Sequence, residues 1–98
     1  MRERVLVDAR SKPHLPVHVR LQFDGVRQRL AVLAPEKVYW PDGVAVDILK
    51  LCNGKRTIAD IADELSRAYA APVETIQTDV LEFIQSWMDL RLLRASAE

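Results

Sequence analysis

The chain has 98 residues and a mass of 11.2 kDa, room for one hydrophobic core and not for two. Apolar residues make up 49% and charged residues 29%, an ordinary globular mix that excludes wholesale disorder. Fourteen Lys and Arg balance fourteen Asp and Glu, so no net charge draws the chain towards nucleic acid or an anionic membrane.

Residues 1–16 end in SKPHLP, whose two prolines resist both helix and central strand. They are expected to form an extended arm, with the apolar patch Val5, Leu6 and Val7 free to dock elsewhere. The opening MRERVLVDAR breaks its apolar residues with charge and holds no signal-peptide core. No apolar run reaches the roughly 20 residues that span a bilayer.

From residue 17 to residue 24 the pattern is VHVRLQFD. Val17, Val19, Leu21 and Phe23 alternate with polar side chains, which predicts a half-buried strand. Asp24 and Gly25 are turn residues, and glycine can supply a positive φ. A second strand is expected over 28–34, around Leu30, Val32 and Leu33, ending at Pro35. A third, Lys37, Val38, Tyr39 and Trp40, stops at Pro41. Close connections make these three a small antiparallel meander.

Beyond Pro41 the period changes to 3.6. Asp42 can cap a helix to about Cys52, with Val44 or Ala45, Ile48, Leu49 and Cys52 inward, and Asn53-Gly54 stops it. Thr57 and Asp60 form a weaker version of a capping box, with Asp in place of the usual Glu or Gln. The helix that follows carries Ile58, Ile61, Ala62, Leu65 and Tyr69 on one stripe, and Pro72 ends it. A third helix over 73–88 has two apolar lines. Ile76, Val80, Phe83 and Trp87 form one, and Leu81, Ile84 and Met88 the other. DLRLLR, residues 89–94, is expected to be a turn or extended tail. The order predicts an α+β, winged-helix-like fold, a three-stranded antiparallel sheet followed by three helices, over 17–94 with a tail at 95–98.

Catalytic inventories do not assemble. His14 and His18 are four apart with no acidic pair beside them in sequence, short of the three or four ligands a metal site usually needs. Cys52 is the one thiol, which excludes an intrachain disulfide and fits a reducing, cytoplasmic setting. It falls at a helix C-terminus, where the dipole disfavours thiolate, and its spacing from Ile48 and Leu49 fits a buried position. Residues 53–57, NGKRT, read as a capped loop rather than an anion site, and three glycines build no phosphate cradle. DNA reading by the third helix is disfavoured. No Lys or Arg lies between Arg67 and Arg91, while Glu74, Asp79, Glu82 and Asp89 do.

Protein or peptide recognition is what remains. A short aromatic strand between two prolines, placed at a sheet edge, can accept an added strand. Tyr39 and Trp40 fit that role or ordinary core packing. Leu81, Ile84 and Met88 fit a groove, the helical core or contact with a second copy.

The runs LAPEKV at 33–38, ILKLCNGKRTI at 48–58 and DVLEFI at 79–84 together resemble the PqqD family of pyrroloquinoline quinone (PQQ) biosynthesis, over about residues 16–93. Asn53 stands where the family usually has Asp. Trp40-Pro41-Asp42 stands where a Leu-Asn-type helix start is usual. The resemblance implies a non-catalytic peptide chaperone with no cofactor. It would bind the ribosomal precursor peptide PqqA as an added strand and present it to the radical-SAM enzyme PqqE. Carried onto this chain, the peptide-binding residues are Lys37, Val38, Tyr39 and Trp40, facing Val80, Leu81, Ile84, Gln85 and Met88, with Glu82 at the rim. A homodimer is a further expected partnership. The alternatives are a winged-helix interaction or dimerisation module of another pathway and, after it, a DNA-binding regulator.

Overall fold

The structure is a computed structural model and describes residues 6–97. Residues 1–5 of the expected arm and residue 98 of the expected tail lie outside that range, Val5 of the apolar patch among them.

The strands are β1 (Ser11–His14), β2 (Arg20–Asp24), β3 (Arg29–Ala34), β4 (Lys37–Tyr39) and, at the C-terminal end, β5 (Arg94–Ala97). The helices are α1 (Val44–Leu51), α2 (Ile58–Tyr69) and α3 (Val73–Asp89). The three central strands form the expected antiparallel sheet in the order β2-β3-β4, and the three helices follow. The fold is α+β, with a further two-stranded sheet of β1 and β5.

That second sheet is absent from the alternation. DLRLLR does not trail away as a tail: Leu92 and Leu93 are buried, and Arg94 opens β5. Arg91 takes φ 65°, turning the chain so that the next residues run antiparallel to β1. Pro13, which argued against a central strand, lies in a strand of a two-stranded ribbon, where a missing N–H costs little. Its carbonyl accepts from Gly54 N–H at 2.8 Å.

Three boundaries move for local reasons. β2 starts at Arg20 rather than residue 17, because Pro16 and Val17 begin a turn closed by Val19 N–H on the Pro16 carbonyl (3.0 Å). In the β2–β3 turn the positive φ (57°) belongs to Gln28 and not to Gly25. Asp24 Oδ1 organises that turn by accepting from the N–H groups of Val26 (2.9 Å) and Arg27 (3.0 Å). At α1 the N-cap is Gly43, with φ 57°, and Asp42 contributes its carbonyl to Ala45 N–H rather than a side-chain cap.

At α2, Thr57 Oγ1 accepts from Asp60 N–H and Asp60 Oδ2 accepts from Thr57 N–H, each at 3.0 Å. The capping box is complete with aspartate in the third position. Ile58, Ile61, Ala62 and Leu65 are buried, whereas Tyr69 is exposed and donates its hydroxyl to Asp47 of α1. The core joins these residues to Val19, Val32, Ile48, Leu49, Val80, Ile84, Leu92 and Leu93. It lies between the inner face of the sheet and the helices, and it leaves β4 at a margin.

Candidate functional site: an open strand edge over an aromatic cleft

Among the described residues β4 pairs with β3 alone. The register Ala34↔Lys37, Leu33↔Val38 and Val32↔Tyr39 leaves a two-residue turn, Pro35 and Glu36. A turn that tight makes its closing pair a hydrogen-bonded one, and bonded and non-bonded pairs then alternate. Lys37 and Tyr39 therefore spend their backbone groups on β3, and the N–H and C=O of Val38 point to the open edge. Pro41 has no N–H to offer β3, so the ladder, and with it the edge strand, ends at Tyr39. The Trp40 carbonyl already accepts from Arg29 Nη2 at 2.9 Å.

Alternation also sorts the side chains. Tyr39 points inward, its ring 5.8 Å from that of Trp87 at an interplanar angle of 50°. Trp87 stacks on Phe83 at 5.1 Å. Lys37, on the same face, holds its ammonium 5.1 Å from the Tyr39 ring centroid. A cleft of 410 Å³ opens here, lined by Ala34, Lys37 and Tyr39 on the sheet side and by Leu90 and Leu92 after α3. His18 stands exposed in its wall, and His14 sits in β1.

Val38 and Trp40 point to the outer face of the sheet, 45% and 36% exposed. The guanidinium carbons of Arg27 and Arg29 lie 5.0 and 5.6 Å from the Trp40 ring centroid. Arg27 also pairs with Asp24 at 3.2 Å. The Asp24 carboxyl is held below its usual range, chiefly by the Arg27 backbone N–H, with help from Val26 N–H and the Arg27 side chain.

Helix α3 brings the Trp87 ring against Tyr39 of β4. Val80 and Ile84 are 1% and 0% exposed and belong to the core. Leu81, Gln85 and Met88 are half-buried. Gln85 Oε1 accepts from Val7 N–H at 3.0 Å, and its Nε2 donates to Asp89 Oδ1 at 3.1 Å. At 100° per residue Gln85 and Trp87 lie on opposite flanks, so the arm's Val7 meets one and Tyr39 the other. Glu82 is exposed. The ring that meets Tyr39 is that of Trp87, with Phe83 behind it, and neither is in the set carried over by resemblance. Their signal was present as the line Ile76, Val80, Phe83 and Trp87, with aromatics four apart.

The other sequence candidates are spent on structure. Cys52 is 6% exposed, its Sγ directed at the Ile48 carbonyl at 3.2 Å, and burial pushes its thiol up to about 12. In the NGKRT loop, Asn53 Oδ1 accepts from the N–H groups of Lys55 (2.9 Å) and Arg56 (3.0 Å). Arg56 Nε pairs with Glu64 at 2.7 Å. An anion would find these donors occupied.

Fold and edge define a class: small α+β domains in which an exposed edge strand borders a cleft at the end of a helix. Comparison with known proteins narrows it. The family "Coenzyme PQQ synthesis protein D (PqqD)" matches residues 29–93. The "PqqA binding protein" of Bradyrhizobium diazoefficiens is 43% identical over 94 residues, 96% of this chain and 91% of that one. Residues of this chain also align, at 40% identity over 81 residues, with 22% of the "Bifunctional coenzyme PQQ synthesis protein C/D" of Methylorubrum extorquens. Among solved structures, the solution structure of the PqqD portion of Methylobacterium extorquens PqqCD is similar with a TM-score of 0.76 at 35% identity. It covers 93% of this chain and 96% of that one, and is described as a functional, stand-alone recognition element for ribosomally synthesised, post-translationally modified peptides. The crystal structure of PqqD from Xanthomonas campestris matches with a TM-score of 0.57 at 35% identity, over 90% of this chain and 98% of that one. The chain belongs to the PqqD family.

Proposed function

We propose that this protein is a non-catalytic peptide chaperone of PQQ biosynthesis, working in the cytoplasm. It takes the ribosomal precursor peptide PqqA as a strand added to β4 and presents it to the radical-SAM enzyme PqqE. The observation that carries this reading is the open β4 edge, with Val38 backbone groups facing outward beside the Tyr39–Trp87 cleft. Relatives named for binding PqqA support the choice of peptide. Among the described residues no three His, Cys, Asp or Glu side chains gather as a metal group, and the thiol is buried.

The contacts follow from the geometry. Backbone pairing at Val38 sets register without asking for particular side chains, and the cleft selects apolar ones. Tyr39 lines the cleft, with the Trp87 and Phe83 rings packed in turn behind its own, and Val80 and Ile84 lie in the core. Gln85 acts from the far flank by holding the arm through Val7, while Leu81 and Met88 are half-buried against the core. A disordered peptide loses entropy on docking, which keeps affinity moderate and permits release. Holding it raises the effective concentration of the reacting segment at the enzyme.

Val38→Pro tests the edge. Proline removes the outward N–H and spares the β3–β4 ladder, so the fold persists and PqqA binding weakens at least about tenfold. Isothermal titration with unmodified PqqA reads the affinity, and backbone amide spectra check the fold. As a second route, PqqA N-methylated at alternate residues of its docking segment binds the unaltered protein more weakly at every other position. Full binding by the proline variant, or indifference to methylation, overturns strand addition.

A further inference from the structure

Resting on that docking mode, we infer that the bound peptide is read on both of its faces. The outer face of the sheet selects acidic over basic side chains at every second peptide position, through Trp40, Arg27 and Arg29. The starting point is pleat geometry: residues directly opposite one another in an added strand share a face. Peptide residues opposite Lys37 and Tyr39 turn into the cleft. The residue opposite Val38, and its neighbour two positions on towards Trp40, turn to the outer face.

That outer face is not bland. Leu33 and Ala31 lie beside Val38 and Trp40 in a depression of 390 Å³ that Gln22 and Asp24 also line, and Val38 belongs to the open edge strand. Two guanidinium groups lie over the Trp40 ring at 5.0 and 5.6 Å, and Arg29 Nη2 is anchored on the Trp40 carbonyl. Arg20, opposite Leu33, stands on the same face. Arg20, Arg27 and Arg29 thus stand around this depression. Asp24, which lines it, is already engaged by Arg27, and Arg29 also borders a neighbouring cleft with Asp42 and Asp47. The stacked ring holds Arg29 in place, so less side-chain entropy is lost when it meets a carboxylate. The occupant is therefore the peptide's own outward side chain, carrying a carboxylate beyond an apolar stem. A lysine there would meet like charge.

The probe is PqqA with each residue of its docking segment replaced in turn by Glu, Gln or Lys, titrated calorimetrically into the native protein. At alternate positions Glu binds about three- to fivefold more tightly than Lys, and 0.5 M salt narrows the gap. In the double variant Arg27→Gln with Arg29→Gln the gap closes, while apolar selectivity at the intervening positions stays. Trp40→Leu, which removes the stacking surface and keeps the arginines, reduces it partway. No position that separates Glu from Lys, or a separation that persists in the double-arginine variant, overturns the inference. The two readings fail separately. Wild-type binding by Val38→Pro removes strand addition itself. Loss of binding there, with charge preference unaffected by the arginines, removes only the outer-face reading.

Discussion

Cys52 and Tyr39 show how one neighbour decides what a side chain does. The Cys52 thiol is packed beneath α1, and its sulfur faces a carbonyl rather than a cation. With the thiol pushed up to about 12, thiolate is scarce at any ordinary pH. Native protein is therefore expected to resist iodoacetamide at pH 8, with labelling rate tracking global unfolding in urea. The sign of the linkage is fixed too. A thiol raised in the fold favours the unfolded state above its ordinary range near pH 9, so stability falls as pH rises from there towards 12. Tyr39 is the reverse case, an aromatic residue in an edge strand with its ring against Trp87 and its backbone committed to β3. Whether that ring belonged to core or groove was open in the pattern of alternation, because both environments bury one face of a ring.

At the scale of elements, α2 is the best specified, since its cap, stripe and stop agree. Thr57→Ala removes the oxygen that accepts from Asp60 N–H and is expected to cost about 1 kcal/mol in urea unfolding at pH 7. Asp60 is held below its usual 3.8 by the Thr57 backbone N–H first and the Thr57 side chain second. Its contribution is therefore present above pH 3.8 and fades as pH falls through the lowered value. Urea midpoints of the native chain and Asp60→Asn are expected to differ at pH 7 and to converge as pH falls below the lowered Asp60 value. Helix α3 was legible as a helix but not in phase. It has two apolar lines, and its own sequence does not say which line meets the sheet and which meets the arm. The resemblance pointed to Val80 and Ile84, and packing puts both inside the core.

For the whole molecule, the β1–β5 ribbon closes the fold by bringing Ser11–His14 to Arg94–Ala97. Ala59 N–H on the Ala9 carbonyl (3.0 Å) and Gly54 N–H on the Pro13 carbonyl (2.8 Å) fasten the same arm to the helical side. A chain ending at Leu93 keeps its last two core leucines but loses four cross-strand pairs. The expected cost is about 2 kcal/mol, taking each ladder bond at its modest net value. Hydrogen exchange should then speed up at residues 11–14 and change little at Ile61 and Ile84. The zero net charge also conceals a division. Residues 58–89 carry seven carboxylates and one arginine, while the outer sheet face carries Arg20, Arg27 and Arg29. Only the fold makes that a polarity between two surfaces.

The sequence by itself determined the elements whose information is local. These are the three-strand meander with its period of two, the helices with their period of 3.6, the capping box, and the buried thiol four residues beyond Ile48. It also carried the family, through motifs spread along the chain. Tertiary structure decided everything that depended on two distant segments meeting: β5 against β1, Gln85 against Val7, Trp87 against Tyr39, and the arginines over Trp40. The reason is physical. Periodicity and capping are set by neighbours a few residues away, whereas which flank of a helix meets which strand is settled only when the whole core is filled at once.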